Sequence, residues 1–367
     1  MSNEQLKGVK AVNQDFKKFD QVNKDQTYQL SESTRKGDVD QRVVEEEFDL
    51  NYEIKTIDMS ALLAGKKDAA EEFAQELGTA MKEIGFVILT GHGVNTDLYQ
   101  TAEEKIIALF ENLDLQSKQT YHAKRYGSVN QGYFPIKETT IIHPDLVEGW
   151  VFCRRAFNMN NDSAYDESAF WPAPDYECFF RQLCLAQEEI ILPLMQAILR
   201  YLKCDPHSFD KKLHKPNFGF RLNYYPPLQQ EDLESGAGRM LGHEDVDLFT
   251  LLPSQDLKGL QVLNRRNMKW VRLDPPKGSI VINTGDYMQR ITNDVLPSTT
   301  HRVSIPSDKT RYNKPRISFP MAVYLWEDEI MEVLPGLGEA KYLPIKAIEF
   351  HTKTTSKYYG SEYAVSD

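Results

Sequence analysis

Four cysteines in 367 residues, with no CxxC pair and no zinc-ligand spacing, are too few for a disulfide framework. Cys153, Cys178, Cys184 and Cys204 therefore read as buried free thiols. No apolar run approaches the roughly 20 residues that span a bilayer, so no membrane partner is expected. The opening decapeptide, MSNEQLKGVK, lacks the apolar centre of a secretory signal, which points to a cytoplasmic protein. Positive charge is also short: 43 Lys and Arg against 54 Asp and Glu leave a net charge of −11. Without a basic stripe to neutralise phosphates, nucleic acid is a poor partner. These absences favour a small-molecule or peptide substrate and leave the oligomeric state open.

What is present suffices for a large buried core, with 41% hydrophobic and 11% aromatic residues. Residues 1–50 are polar and mixed in charge, and read as an extension. Residues 51–215 form an N-terminal region of helices and strands. It opens with an alternating strand at 52–58 and an amphipathic helix carrying Ala70, Phe73, Ala74, Leu77, Met81 and Ile84 on one face. Gly85 stops that helix, and a short apolar strand follows at 86–89. A second helix starts at the Asn95/Thr96 cap signal and runs to about Leu113; a third, long one is expected over 175–203. Residues 216–326 change character. FGFRLNYY, LFTLL, LQVL, MKWVRL, SIVIN, YMQRIT, TTHRVSI and RISFPMAVYLW recur as short runs between turns, the pattern of a sandwich or jelly roll. Residues 327–367 read as a lid segment and a last helix.

In GHEDVDLFTLL, His243 and Asp245 stand two apart ahead of an apolar strand, so both can point to one side. His301, in STTHRV, lies on a later strand that a rolled sheet can bring alongside. Two imidazoles and one carboxylate on one face of a cation leave the other face open, a ligand set suited to non-haem iron. Singly, each residue is more often structural; the conjunction carries the signal. Arg316-Ile-Ser318 lies on the last long apolar run, where a guanidinium needs a carboxylate, whether from a ligand or a neighbouring Asp.

His243-x-Asp245, His301 and Arg316-x-Ser318, in this order, resemble the isopenicillin N synthase-like family of non-haem Fe(II) oxygenases, which includes Fe(II)/2-oxoglutarate-dependent dioxygenases. IKTIDMS, EIGFVILTGHGV, GFRLNYYPP and VINTGDYMQRITND extend the resemblance over most of the chain from Ile54. It implies a mainly β fold with flanking helices: a double-stranded β-helix core behind a helical N-terminal region. It also implies that His243, Asp245 and His301 bind Fe(II), with Glu244 and Asp247 supporting them or facing solvent. Retention of Asp245 argues against a halogenase.

The co-substrate is less directly indicated. Most of the family binds 2-oxoglutarate through iron and the Arg-x-Ser pair, whereas isopenicillin N synthase uses that pair for its substrate and takes no keto acid. Some wording here is close to that enzyme, such as His-Glu-Asp-Val at 243–246. Asn223-Tyr-Tyr225 is similar to the keto-acid-contacting residues of 2-oxoglutarate users and tips the reading. The expected activity is therefore hydroxylation of a C–H bond in a small metabolite using Fe(II), 2-oxoglutarate and O2, with succinate and CO2 as co-products. Arg316, Ser318, Tyr225 and Asn223 would hold the keto acid. An oxidase or cyclase of isopenicillin N synthase type and a metal-free binding protein are the alternatives. Tyr133, Trp150 and Arg290 are the expected substrate contacts.

Overall fold

The computed structural model describes residues 48–136, 145–157, 170–235, 239–255, 258–306 and 308–359. The expected extension lies outside them except for its end. There, Phe48 is buried against Trp270 and the Asp49 amide donates to the Trp270 carbonyl.

Two sheets face each other. The larger has ten strands and contains β1 (Thr56–Asp58), β2 (Phe86–Thr90), β3 (Lys124–Tyr126), β4 (Val129–Phe134), β5 (Glu148–Cys153) and β6 (Asn217–Tyr225). The smaller has four and contains β7 (Met240–His243), while β8 (Phe249–Pro253) returns to the large sheet. Next, β9 (Leu260–Asn264) and β10 (Lys269–Arg272) join the small sheet, β11 (Ile280–Thr284) the large one, and β12 (His301–Val303) the small one. Finally β13 (Arg316–Ser318) and β14 (Met321–Tyr324) pair with β6. The chain thus alternates between sheets, as a jelly roll does.

Helices cover the outer face of the large sheet. The first, α1 (Ala69–Ile84), buries Phe73, Ala74, Leu77, Met81 and Ile84, as its spacing predicts. Gly85 ends it at φ 72°, its amide reaching the Met81 carbonyl at 2.8 Å; this left-handed cap is open to glycine at little cost. Helix α2 is Asp97–Asn112. The single long helix expected over 175–203 is two helices, α3 (Pro174–Glu188) and α4 (Ile191–Tyr201). The reason is Pro193: its ring clashes with the carbonyl four residues back, at Glu189, where the helix breaks.

Because the large sheet is covered on both faces, most of its strand residues are buried, and side-chain parity shows which of them face inward. On β6, Phe218, Phe220, Leu222 and Tyr224 pack under the helices, while Gly219, Arg221, Asn223 and Tyr225 face the space between the sheets. On β11, Ile280 and Ile282 face the helices and Asn283 faces inward.

Two expected strands differ. RISFPMAVYLW is broken at Phe319-Pro320 into β13 and β14, since proline donates no ladder hydrogen bond. YMQRIT is not a strand: residues Asp286–Ile291 form a short helix, α5, buried at every position. Its leading amides are satisfied by the preceding loop, Asp286 N by the Asp245 carbonyl at 2.8 Å and Tyr287 N by that of Asp247 at 3.0 Å. The last helix, α6, spans Ala347–Tyr359. Of the four thiols only Cys153 and Cys184 are buried; Cys204 is partly exposed and Cys178 exposed, and all four are free.

Candidate active site

The space between the sheets is a cavity of about 270 Å³, on the scale that takes a small metabolite. His243 ends β7 and His301 begins β12, and the two are register partners across an antiparallel pair. Their rings lie 4.3 Å apart between centroids. Asp245 follows two residues after His243, and its Oδ1 stands 3.7 Å from His243 Nε2 and 3.8 Å from His301 Nε2. One donor atom from each of the three lies within 4.8 Å of the others.

The surroundings orient these donors. His301 Nδ1 donates to the Thr299 carbonyl at 3.1 Å, which leaves the lone pair of a neutral ring on Nε2. Asp245 Oδ2 accepts from Thr250 Oγ1 at 2.7 Å and Asn283 Nδ2 at 2.8 Å, so Oδ1 is the oxygen turned to the imidazoles. Burial works to raise the Asp245 carboxyl; the two imidazoles, Asn283 and Thr250 outweigh it and hold it below the usual range. Asp247 behaves oppositely. Burial and the adjacent Asp245 charge push it well above the ordinary value, favouring the protonated form. Thr250 Oγ1 also lies 2.6 Å from Asp247 Oδ2. The Thr250 hydroxyl therefore stands within hydrogen-bond reach of both carboxylates. Glu244 is buried and accepts from Thr300 Oγ1 at 2.8 Å. Glu244 and Asp247 are thus buried in this network, and neither faces solvent.

Gly285 makes room for this loop. A Cβ there would stand 2.2 Å from Asp247 Oδ1, 2.4 Å from its carbonyl oxygen and 2.8 Å from its nitrogen. Backbone atoms cannot yield as a flexible side chain can, so Gly285→Ala is expected to destabilise the fold by about 1–3 kcal/mol. Thermal unfolding checks this, and an unchanged melting temperature contradicts it.

The second cluster lies on β6 and β13, where Arg316 pairs with Tyr225 and Ser318 with Asn223 in register. Arg316 Nε donates to the Lys258 carbonyl at 3.1 Å and its guanidinium lies over the Tyr225 ring at 4.8 Å. Asn223 Nδ2 donates to Ser318 Oγ at 3.2 Å. All four line the same cavity as the His-Asp-His group. Arg239, which the sequence reading missed, is buried nearby. Burial and then the like charge of Arg316 pull it down to about 10, and among the described residues its Nε and Nη2 have no hydrogen-bond partner. Arg239 thus lies close enough to Arg316 for the two charges to act on each other.

Family models match both halves of the chain: residues 216–321 match the 2OG-Fe(II) oxygenase superfamily, and residues 54–174 match the N-terminal region of non-haem dioxygenases in morphine synthesis. The chain belongs to the Fe(II)/2-oxoglutarate oxygenase superfamily. Among curated relatives, the 2-oxoglutarate-dependent dioxygenase ucsF of an Acremonium species is 27% identical, covering 70% of this chain and 81% of the relative. The 2-oxoglutarate-Fe(II) type oxidoreductase ppzC of Metarhizium majus is 27% identical over 87% of this chain and 90% of its own. Among solved structures, a 2OG-Fe(II) oxygenase family protein from Caulobacter crescentus is 29% identical with a TM-score of 0.68, covering 81% of this chain and 96% of that one. A full-length protein of Neurospora crassa, solved in complex with alpha-KG, shares the fold at 24% identity and a TM-score of 0.72, covering 81% of this chain and 94% of that one. The oxygenase is thus a 2-oxoglutarate-dependent dioxygenase, using Fe(II), the keto acid and O2. Among its described residues no helix is long and apolar enough to cross a membrane.

The expected substrate contacts fall elsewhere. Tyr133 and Trp150 are register partners on the helix-facing side of β4 and β5, buried in the main core. Tyr133 donates to Glu148 Oε2 at 2.6 Å. Their neighbours Phe134 and Val151 line the cavity instead; a shift of one residue along a strand exchanges its faces. Gly132, at φ 134°, interrupts the alternation on β4, which hides this phase from the sequence. Arg290 is on α5, not a strand. Its Nη2 donates to the Leu343 carbonyl at 2.6 Å and its guanidinium lies over the rings of Tyr342 and Phe350, so it is engaged by the C-terminal segment and not by the cavity. Trp150→Ala is expected to cost about 3–5 kcal/mol of stability through the void it leaves. Tyr133→Phe is expected to shift the KM for the keto acid less than twofold; steady-state kinetics and denaturant melts separate the two effects.

Instead of those three residues, α6 contributes His351 and Thr355 to the cavity wall. Burial is the main cause that takes His351 down to about 4, so its ring is neutral at pH 7. Asn283, Thr250 and Arg221 were also missed. Thr250 is the one polar side chain of its strand and Arg221 the one charge of its strand, which are usable signals.

Proposed function

We propose that this oxygenase holds Fe(II) on His243 Nε2, Asp245 Oδ1 and His301 Nε2, and hydroxylates a C–H bond of a small metabolite bound in the same cavity. The observation that carries the reading is the convergence of those donors, within 4.8 Å of one another, at the wall of a cavity that Arg316 also lines. The donor set fits a divalent iron: two neutral nitrogens and one anionic oxygen on one side, with the cavity on the other. When bound, the iron with 2-oxoglutarate and O2 supplies the oxidising power, releasing succinate and CO2.

The chain's own work is placement. Thr299 fixes the His301 tautomer, while Thr250 and Asn283 fix which Asp245 oxygen is offered. Arg316, with Ser318 and Tyr225, receives the distal carboxylate of the keto acid, and the nearby charge of Arg239 adds to the attraction. The Asn223 amide is held with Nδ2 as a donor on the cavity side, suited to the other end of the keto acid. The apolar walls, Val129, Phe134 and Val151, exclude water from the reacting C–H bond.

An anaerobic visible spectrum of the Fe(II)-loaded protein tests this. A metal-to-ligand charge-transfer band on adding 2-oxoglutarate is the expected result. No band, together with O2 uptake that is indifferent to the keto acid, overturns it.

A further inference from the structure

Arg221 is a cation in the middle of the inner face of β6, between Gly219 and Asn223, and it lines the cavity. Its Nε donates to Asn223 Oδ1 at 2.6 Å, which turns the Asn223 amide so that Nδ2 reaches Ser318. Its guanidinium stands 5.7 Å from the centre of the Phe134 ring. Its Nη2 is buried and, among the described residues, has no hydrogen-bond partner. Among the described residues no carboxylate forms an ion pair with it. A buried N–H of a charged group left without an acceptor costs about 1–3 kcal/mol or more.

Space is kept open around this group. On the adjacent strand, a Cβ at Gly149 would come 3.2 Å from Arg221 Nε and 3.3 Å from Nη2. On β6 itself, a Cβ at Gly219 would come 3.1 Å from the Tyr324 ring. Val151, the register partner of Arg221, is apolar where a carboxylate could have neutralised the charge. The keto acid does not need this cation if Arg316 takes its distal carboxylate, because Arg316 and Arg221 lie four residues apart along paired strands, on either side of the Asn223–Ser318 pair.

We infer that Arg221 anchors a carboxylate on the organic substrate, whose apolar or aromatic body lies against Phe134 and Val151. The oxygenase thus acts on a small carboxylic acid. The inference rests on the Fe(II)/2-oxoglutarate reading and names the substrate class of that site. A bidentate guanidinium–carboxylate contact both supplies affinity and fixes the orientation of the acid. Through the Nε–Asn223 bond, the same side chain joins the substrate position to the keto-acid position.

The test uses the protein loaded anaerobically with Fe(II) and 2-oxoglutarate, titrated with 3-phenylpropionate and octanoate and with their primary amides. Perturbation of the charge-transfer band and calorimetry report binding. Each acid is expected to bind at least about tenfold tighter than its amide, the worth of one charge-assisted contact. Arg221→Gln reduces that preference to less than about threefold and Arg221→Lys keeps part of it, each measured at saturating 2-oxoglutarate. Val151→Glu, which neutralises Arg221 without replacing it, also abolishes the preference, so the answer does not depend on one variant folding. Equal binding of acid and amide, no saturable binding of either acid, displacement of 2-oxoglutarate, or a preference that survives Arg221→Gln overturns the inference. A wild-type protein that shows no band at all refutes the underlying Fe(II)/2-oxoglutarate reading instead.

Discussion

His301→Ala is expected to lose stoichiometric iron and, with it, keto-acid-dependent O2 consumption. Removing an outer partner of a metal ligand already costs roughly 10–100-fold in affinity, so loss of an imidazole ligand should exceed about 100-fold. The replacement leaves β12 its backbone pairing with β7 and β9, so the fold has means to survive it. Iron content by elemental analysis, succinate yield and a melting curve on one preparation separate ligand loss from unfolding. A folded variant with full iron and wild-type turnover contradicts the ligand assignment. His243→Ala should match it, since the two rings are equivalent neighbours of Asp245 Oδ1.

Arg316→Met is expected to raise the KM for 2-oxoglutarate by about 10–100-fold while iron still binds. Hydrogen bonds to charged groups contribute about 1.5–3 kcal/mol, which is that range in affinity. Methionine keeps the bulk of the side chain over Tyr225 and removes the charge, so the effect reports electrostatics more than packing. Arg316→Lys should recover only part of it, because an ammonium offers a point charge where the guanidinium offers a fork. A shift below twofold in Arg316→Met, measured with iron saturating, contradicts the assignment of the keto-acid subsite. Arg239 provides an internal comparison, since it contributes charge to the same end of the cavity.

The sequence made some of this legible and hid the rest for identifiable reasons. The convergence of His243, Asp245 and His301 could be anticipated from their conjunction in this order, which no one of them signals alone. The apolar period of α1 was equally plain. Pro193 was visible in the sequence, yet the apolar period running through 175–203 masked the break it forces. YMQRIT has the composition of a strand. It is a helix because the carbonyls of Asp245 and Asp247 receive its first amides, a contact between segments about 40 residues apart in sequence that no local pattern announces. Tyr133 and Trp150 lay in the right strands, one step out of phase. Where both faces of a sheet are covered, hydrophobicity does not say which parity looks inward, and Gly132 breaks the count. Arg221 was the better clue: a single charge amid FGFRLNYY has few reasons to be there.

The order of the small sheet, β10-β9-β12-β7, leaves β7 at its margin with one neighbour. The ladder holding it is irregular, slipping between His301 and Val303. On the proposed ligation, iron acts as a rivet between that margin and the interior, and part of its binding energy is folding energy for β7. The apo protein should then fray from this border inward, and the cofactor would help build the wall of the chamber in which it works.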